Sequence, residues 1–429
     1  MVIGTERTVH LSHNKFTLHG FQMVKLSESN SQPWRQLKRQ SWTFVDGGEA
    51  QHTQYMHTLS TETLKPATIY SYRIITIGDD GESSEGTDNS FESKVFELHT
   101  PAKSSKGSSS FKFIATGDIG VNNAVSMPLF KQFVTSHEYD FVAFVGDQGY
   151  NLDDFNGTKG DEYMKFAEEL YANLPILTTT GNHEQAYNFS HYKNRFDLMP
   201  YRESGFDNAL QYSINYKNLH LVSFDTEVFF EGSEEEVLTA LHWLEEDLIE
   251  ANKRRSKVPW IIVFGHRPLY CSVMSSSDCV EKAEKLRFGE PVDKNYGLET
   301  LLSRYKVDLY LCGHKHNYER SYPVLNNTLV TTSYHNPPSF FQVITGNGGN
   351  YEGCDKFDDM TNTAAIPKWL GNHYEGYGFT TVEVSRNRLD LHHYEVQEDG
   401  TLGDLRDQVR VHKTKGHVKK QAKLAAEAA

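Results

Sequence analysis

Five apolar runs after residue 110 end alike, and this ending limits what the chain can fold into. FKFIATGD (111–118), FVAFVGDQ (141–148), PILTTTGN (175–182), WIIVFGH (260–266) and VDLYLCGH (307–314) each close on a glycine followed by a carboxylate, an amide or an imidazole. Near-continuous apolar runs of this length read as strands buried on both faces. Helix-like stretches lie between several of them, at Tyr163–Tyr171, Glu234–Glu250 and Leu298–Tyr305. Strands alternating with helices predict a layered α/β fold, and in such folds ligands bind at the carboxyl ends of strands.

The N-terminal part reads differently. Short alternating segments at Gln40–Val45, Gln54–Leu59, Ile69–Ile77 and Lys94–Leu98 predict half-buried strands of a small all-β domain over residues 1–102. Residues 1–40 look too few and too polar to supply all its early strands, so an incomplete domain is expected. KSSKGSSS (103–110) reads as a linker. The α/β domain is expected over 111–405, and a Lys- and Ala-rich tail over 406–429, a last short strand and then a frayed or helical end. Two domains suit 429 residues.

The strand ends carry Asp118, Asp147 with Tyr150, Asn182 with His183, His266, and His314 with His316. Each alone has an ordinary reading. Gly-Asp is commonly a turn, Asn182 a helix cap, Tyr150 packing and a lone histidine structural. Seven candidate donors at the ends of strands in one α/β fold are hard to explain that way together. Clustered carboxylates without cations are costly to bury, which points to metal. Seven donors exceed the four that one zinc takes and suit two metals sharing a carboxylate, an arrangement used for phosphoryl transfer.

A net charge of −14 gives no general reason to bind nucleic acid or an anionic membrane. No apolar run is long enough to predict a membrane span. The first residues do not form a secretory signal. Asn156, Asn188 and Asn326 each begin an N-x-S/T sequon, compatible with secretion. Cys271 and Cys279 are close enough to close a small loop, and Cys312 reads as buried.

In order and rough spacing, GDIG, GDQGY, GNHE, VFGH and GHKH resemble the signature blocks of the purple acid phosphatases, within the calcineurin-like metallophosphoesterases. Tyr150 separates that family from its relatives. The resemblance covers about residues 111–395 and implies a four-layer α/β sandwich. FVDGG and LKPATIYSYRI look like the family's N-terminal fibronectin type III-like domain. Carried over, Asp118, Asp147, Tyr150 and His316 resemble ligands of Fe(III). Asp147, Asn182, His266 and His314 resemble those of a divalent Fe, Zn or Mn, with Asp147 bridging. His183 resembles the histidine that contacts phosphate and the leaving group. The resemblance implies an acid phosphatase acting on phosphate monoesters, secreted or lysosomal. The rivals are a phosphodiesterase of the same fold and a non-catalytic secreted binding protein. One departure stands out. Many members carry a further histidine about ten residues past His266, where this chain reads CSVMSSSDC; GHRPLYCS and the nearby DC resemble the animal-type branch.

Overall fold

The computed structural model describes residues 8–13, 16–25, 38–60, 64–78, 90–102, 110–289 and 296–429. Most of the expected linker, 103–109, lies outside the described residues.

Two large sheets form the α/β domain, beside a short ribbon of Val324–Leu325 and Thr328–Leu329. One has six strands in the order Ile176–Thr178, Phe141–Phe144, Phe111–Thr116, Gly378–Val384, Arg388–Val396 and Leu402–His412. Its first three strands run parallel and the rest antiparallel. The other has seven, in the order Tyr212–Tyr216, Leu219–Ser223, Trp260–Phe264, Leu309–Cys312, Phe341–Thr345, Tyr318–Ser321 and Leu370–Tyr374. Leu219–Ser223 through Phe341–Thr345 are parallel.

The two-residue period of a strand explains the layers. Trp260, Ile262, Phe264, Leu309 and Leu311 point into a core shared with Phe113, Val382 and other residues of the six-stranded sheet. Their neighbours Ile261, Val263, Tyr310 and Cys312 point the other way, into a second core with Leu241, Leu244 and Leu248 of the helix Glu234–Lys253. Helices Met127–Ser136 and Thr158–Asn173 send Phe130, Ala167 and Leu170 into the first core. The result is helix on sheet on sheet on helix, with the central strands of both sheets buried on both faces. Glu234–Lys253 starts sharply because Ser233 accepts from the Glu236 amide while Glu236 reaches back to the Ser233 amide.

The sheet continues past residue 405, where the sequence pattern ended the domain. Leu402–His412 buries Val409 and Val411, and the helix Lys415–Ala428 follows it. Lys413 is anchored inside by Asp308 and the Pro259 carbonyl.

Residues before 40 supply two strands of the N-terminal β region and the start of a third. Thr8–His13 pairs with Thr53–Ser60, which also pairs with Lys38–Val45. Phe16–Lys25 pairs with Ile69–Gly78, which also pairs with Ser90–Glu92 and Phe96–His99. Backbone pairing uses main-chain groups, which every sequence has, so polarity alone did not exclude strands here. Leu59, Tyr70, Tyr72, Ile74, Phe96 and Leu98 form the small core. This β region bears on the α/β domain through a buried pair, Asp46 Oδ1 with His191 Nε2 at 2.7 Å, and through the Trp42 indole donating to Asn194. Both partners lie on the helix Ala186–Arg195, directly after the GNHE segment.

Candidate metal centre

The parallel strands of both sheets aim their carboxyl ends at one place. The six-stranded sheet brings Asp118, Asp147, Tyr150 and Asn182; the seven-stranded sheet brings His266, His314 and His316. Asp118, Asp147 and His266 are almost wholly buried.

The glycines before these residues work differently from a simple sharp turn. The left-handed backbone falls mostly on the functional residues themselves: φ is 55° at Asp118, 51° at Asp147, 55° at Tyr150 and 67° at His314. Such backbone costs on the order of 1 kcal/mol or more per residue and persists only where the surroundings hold it. The glycines are required by close approach. A Cβ on Gly181 would overlap Asp147 Oδ1, and one on Gly313 would overlap Asp118 Oδ2. At Gly146 both reasons apply, since φ is +96° and a Cβ would lie 2.5 Å from His266 Nδ1.

The imidazoles reveal what the site is for. His266 Nδ1 lies 2.9 Å from the Val145 carbonyl, which can only accept, so Nδ1 carries a proton. Nε2 then faces three atoms: Asp147 Oδ2 at 3.1 Å, Asn182 Oδ1 at 3.1 Å and His314 Nδ1 at 3.2 Å. One N–H cannot satisfy three acceptors. His316 is anchored in the same way. Its Nδ1 lies 3.1 Å from the Gly353 carbonyl, and Nε2 faces the Tyr150 hydroxyl at 2.9 Å and Asp118 Oδ1 at 3.5 Å. Two anchored imidazoles thus each turn a lone pair toward oxygen donors. Cations fit both places, and anchoring the far nitrogen is how proteins orient metal-binding histidines.

Electrostatics agree. Burial pushes Asp118 up to about 6, although its contact with His316 opposes this. Burial also opposes charge on Asp147, but His266 prevails and holds it well below the usual carboxylate range. Burial disfavours a proton on His266, yet Asp147 outweighs it and the pKa rises to about 10. Burial, Asp118 and Asp147 all push the Tyr150 phenol upward, so only a cation could make it a phenolate.

Three further residues shape the site. Glu184, inside GNHE, accepts the backbone N–H groups of Asp147, Gln148 and Gly181 at 3.0, 2.9 and 2.8 Å, tying two of the strand ends together. Its place in the motif was the available signal. Arg267 is clamped by both oxygens of buried Glu227 and reaches His314. Asp278 approaches His314 from a separate segment, closed by the Cys271–Cys279 disulfide that the spacing anticipated. Nothing in the spacing marked Arg267 or Asp278 as neighbours of His314. His183 sits beside the cluster. Its amide donates to Asp147 Oδ1 at 3.0 Å, its Nδ1 lies 2.8 Å from Asn151 Oδ1, and its ring centroid is 4.3 Å from that of Tyr150. A separate group, Glu97, His99 and His137, lies at the opposite end of the strands. One donor atom from each lies within 4.8 Å of the others, and the two imidazole rings stack at 3.7 Å.

Acidic and imidazole donors converging at the strand ends of a double α/β sandwich define the metal-dependent phosphoesterases. Residues 111–318 match the family model described as Calcineurin-like phosphoesterase, and residues 339–405 that described as Iron/zinc purple acid phosphatase-like protein C. Human Acid phosphatase type 7 is 36% identical over 363 residues, covering 83% of this chain and 77% of its own length. The zebrafish protein of the same name is 34% identical over 387 residues, covering 87% and 81%. A purple acid phosphatase from yellow lupin seeds shares the fold, with a TM-score of 0.74 at 20% identity, over 98% of this chain and 74% of that one. The chain belongs to the purple acid phosphatases, on their animal-type branch.

Proposed function

We propose that this chain hydrolyses phosphate monoesters at acid pH, with two metal ions held at the strand ends. The observation that carries the reading is His266, anchored on a backbone carbonyl with Nε2 facing Asp147, Asn182 and His314, which no single proton could satisfy; His316, anchored in the same way, faces Tyr150 and Asp118. Asp118, Asp147, Tyr150 and His316 would hold Fe(III), because a hard trivalent ion prefers carboxylate and phenolate. Asp147, Asn182, His266 and His314 would hold a divalent Fe, Zn or Mn, with Asp147 shared. When bound, the pair supplies positive charge for phosphate oxygens and makes water nucleophilic at low pH.

The rest falls to the protein. Asp147 is held in place by the His183 amide and by His266. His183 is oriented by Asn151, which leaves Nε2 turned toward the cluster, 4.0 Å from Asp147 Oδ2. From there an Nε2–H can pass its proton to the departing ester oxygen, a contribution of about 10²–10⁴-fold. His183→Ala should keep both metals and lose most turnover on alkyl phosphates, with a smaller loss on nitrophenyl phosphate, whose leaving group needs little protonation. Equal losses would assign His183 to positioning phosphate. Comparing rates on an aryl monoester and the matching diester tests the reading as a whole, since a faster diester reaction would overturn it.

We also read residues 1–102 as a fibronectin type III-like domain, from its paired small sheets and the LKPATIYSYRI strand entry. An oxidising, secretory home is supported by the Cys271–Cys279 bond and by the exposure of all three sequon asparagines, Asn156, Asn188 and Asn326.

A further inference from the structure

His314 differs from the other two imidazoles of the site in how its far nitrogen is held. His266 and His316 rest on backbone carbonyls, which no substitution of the residue can remove. His314 turns Nδ1 to the cluster, 3.2 Å from His266 Nε2, and its Nε2 points away from it. Two side chains meet that Nε2. Arg267 Nη1 is 3.0 Å away and Asp278 Oδ1 is 3.1 Å away.

A neutral imidazole that coordinates through Nδ1 carries its one proton on Nε2. That N–H needs an acceptor, and a guanidinium has none to offer. Asp278 does. Its Oδ1 is buried and lies 3.1 Å from Nε2, within reach of the Nε2–H. Lys282 Nζ at 2.9 Å and Arg267 Nη1 at 3.5 Å flank the same oxygen and favour the carboxylate form.

The segment that brings Asp278 here belongs to neither sheet. It follows the strand Trp260–Phe264 as a loop and ends in a short helical turn, Asp278–Lys282. Cys279, the next residue after Asp278, is bonded to Cys271. The bond ties the segment back to the strand end that carries His266 and Arg267.

Resting on the two-metal reading, we propose that Asp278 is a positioning residue that fixes the ring and tautomer of His314 for the divalent ion, and that the Cys271–Cys279 bond holds Asp278 against it. The stretch that lacks the usual second histidine thereby serves the centre with a carboxylate behind a ligand.

The test is the divalent-metal dissociation constant of the full chain, measured by competition with a chromophoric chelator using Zn²⁺, with the visible band of the iron site followed in the same samples. Asp278→Ala should weaken Zn²⁺ binding roughly 10–100-fold and leave the iron band in place. Asp278→Asn keeps an acceptor oxygen at the same place, so its loss should be clearly smaller. Replacing both Cys271 and Cys279 by serine should weaken Zn²⁺ binding as well. His314→Ala serves as the reference and should abolish tight Zn²⁺ binding. Parent-like affinity in Asp278→Ala, or equal losses for Ala and Asn, would overturn the role of Asp278, and parent-like affinity in the double serine variant would overturn the tether. Retention of Zn²⁺ by His314→Ala would instead refute the metal-site reading on which the inference rests.

Discussion

Gly181→Ala adds one methyl group to the chain, yet it should disable the site. Gly181 has an extended backbone, φ −120° and ψ −176°, which alanine adopts freely, so no backbone strain enters. The whole effect is contact. The new Cβ would overlap Asp147 Oδ1 and lie 2.7 Å from the Asp147 amide nitrogen and 2.8 Å from its Cγ. Relief requires the carboxylate to move by roughly 1 Å, a displacement worth about 10²-fold in rate when it misplaces a reacting group. Overpacking should also lower stability by about 1–3 kcal/mol. Asp147 cannot move freely, because it accepts from the His183 amide and faces His266. The assay is turnover on nitrophenyl phosphate together with the content of both metals and the thermal midpoint. Gly205→Ala is the control: φ there is +72°, but a Cβ would meet nothing within 4 Å, so stability should fall slightly while metals and turnover stay. Parent-like turnover and metal content in Gly181→Ala would refute the argument that close approach to Asp147 is why this glycine is there.

Tyr150→Phe should bleach the visible charge-transfer band expected of a phenolate on Fe(III) while leaving the fold intact; a variant that stays coloured would remove Tyr150 from the ligand set. Asp147→Asn should reduce occupancy of both metal positions, whereas His266→Ala should empty the divalent one first, as metal analysis of the two variants can show. The pH dependence of stability has a defined sign at Glu319, which burial pushes up to about 7 from an ordinary 4.5 against the Ser272 amide that it accepts. The folded chain therefore holds this proton over a range where the unfolded chain has lost it, so stability falls as pH rises from 4.5 through 7, by about 3 kcal/mol in all. Glu319→Gln should flatten that decline in denaturant titrations, and an unchanged slope would contradict the burial argument.

The α/β fold and the members of the site were legible because both depend on local pattern. An apolar strand buried on two faces shows as a run, and a residue at its carboxyl end is marked by where the run stops. Hence Asp118, Asp147, Asn182, His266 and His314 could be named at the strand ends, with Tyr150 and His316 a few residues on, and the resemblance only divided them between two ions. What neighbours in sequence could not give is which nitrogen each imidazole turns inward. Val145 and Gly353 decide that through their carbonyls, and every residue has one. The glycines were visible, but their reason was not: the contacts they allow join Gly181 to Asp147 and Gly313 to Asp118, pairs that only the tertiary structure brings together. Asp278 was hidden for the same cause, since a charge on a polar loop reads as solvated until the disulfide folds it against His314. The early β strands were missed because pairing there rests on main-chain groups, to which a side-chain pattern is blind.

The central claim is that two metal ions sit at these strand ends, and elemental analysis of the purified chain joined to its visible spectrum tests it most directly. The account predicts two metal ions per chain, at least one of them iron, with a visible band that Tyr150→Phe abolishes. A chain that hydrolyses phosphate monoesters at full rate with one metal ion or none, or that holds two iron ions without a visible band, would contradict it.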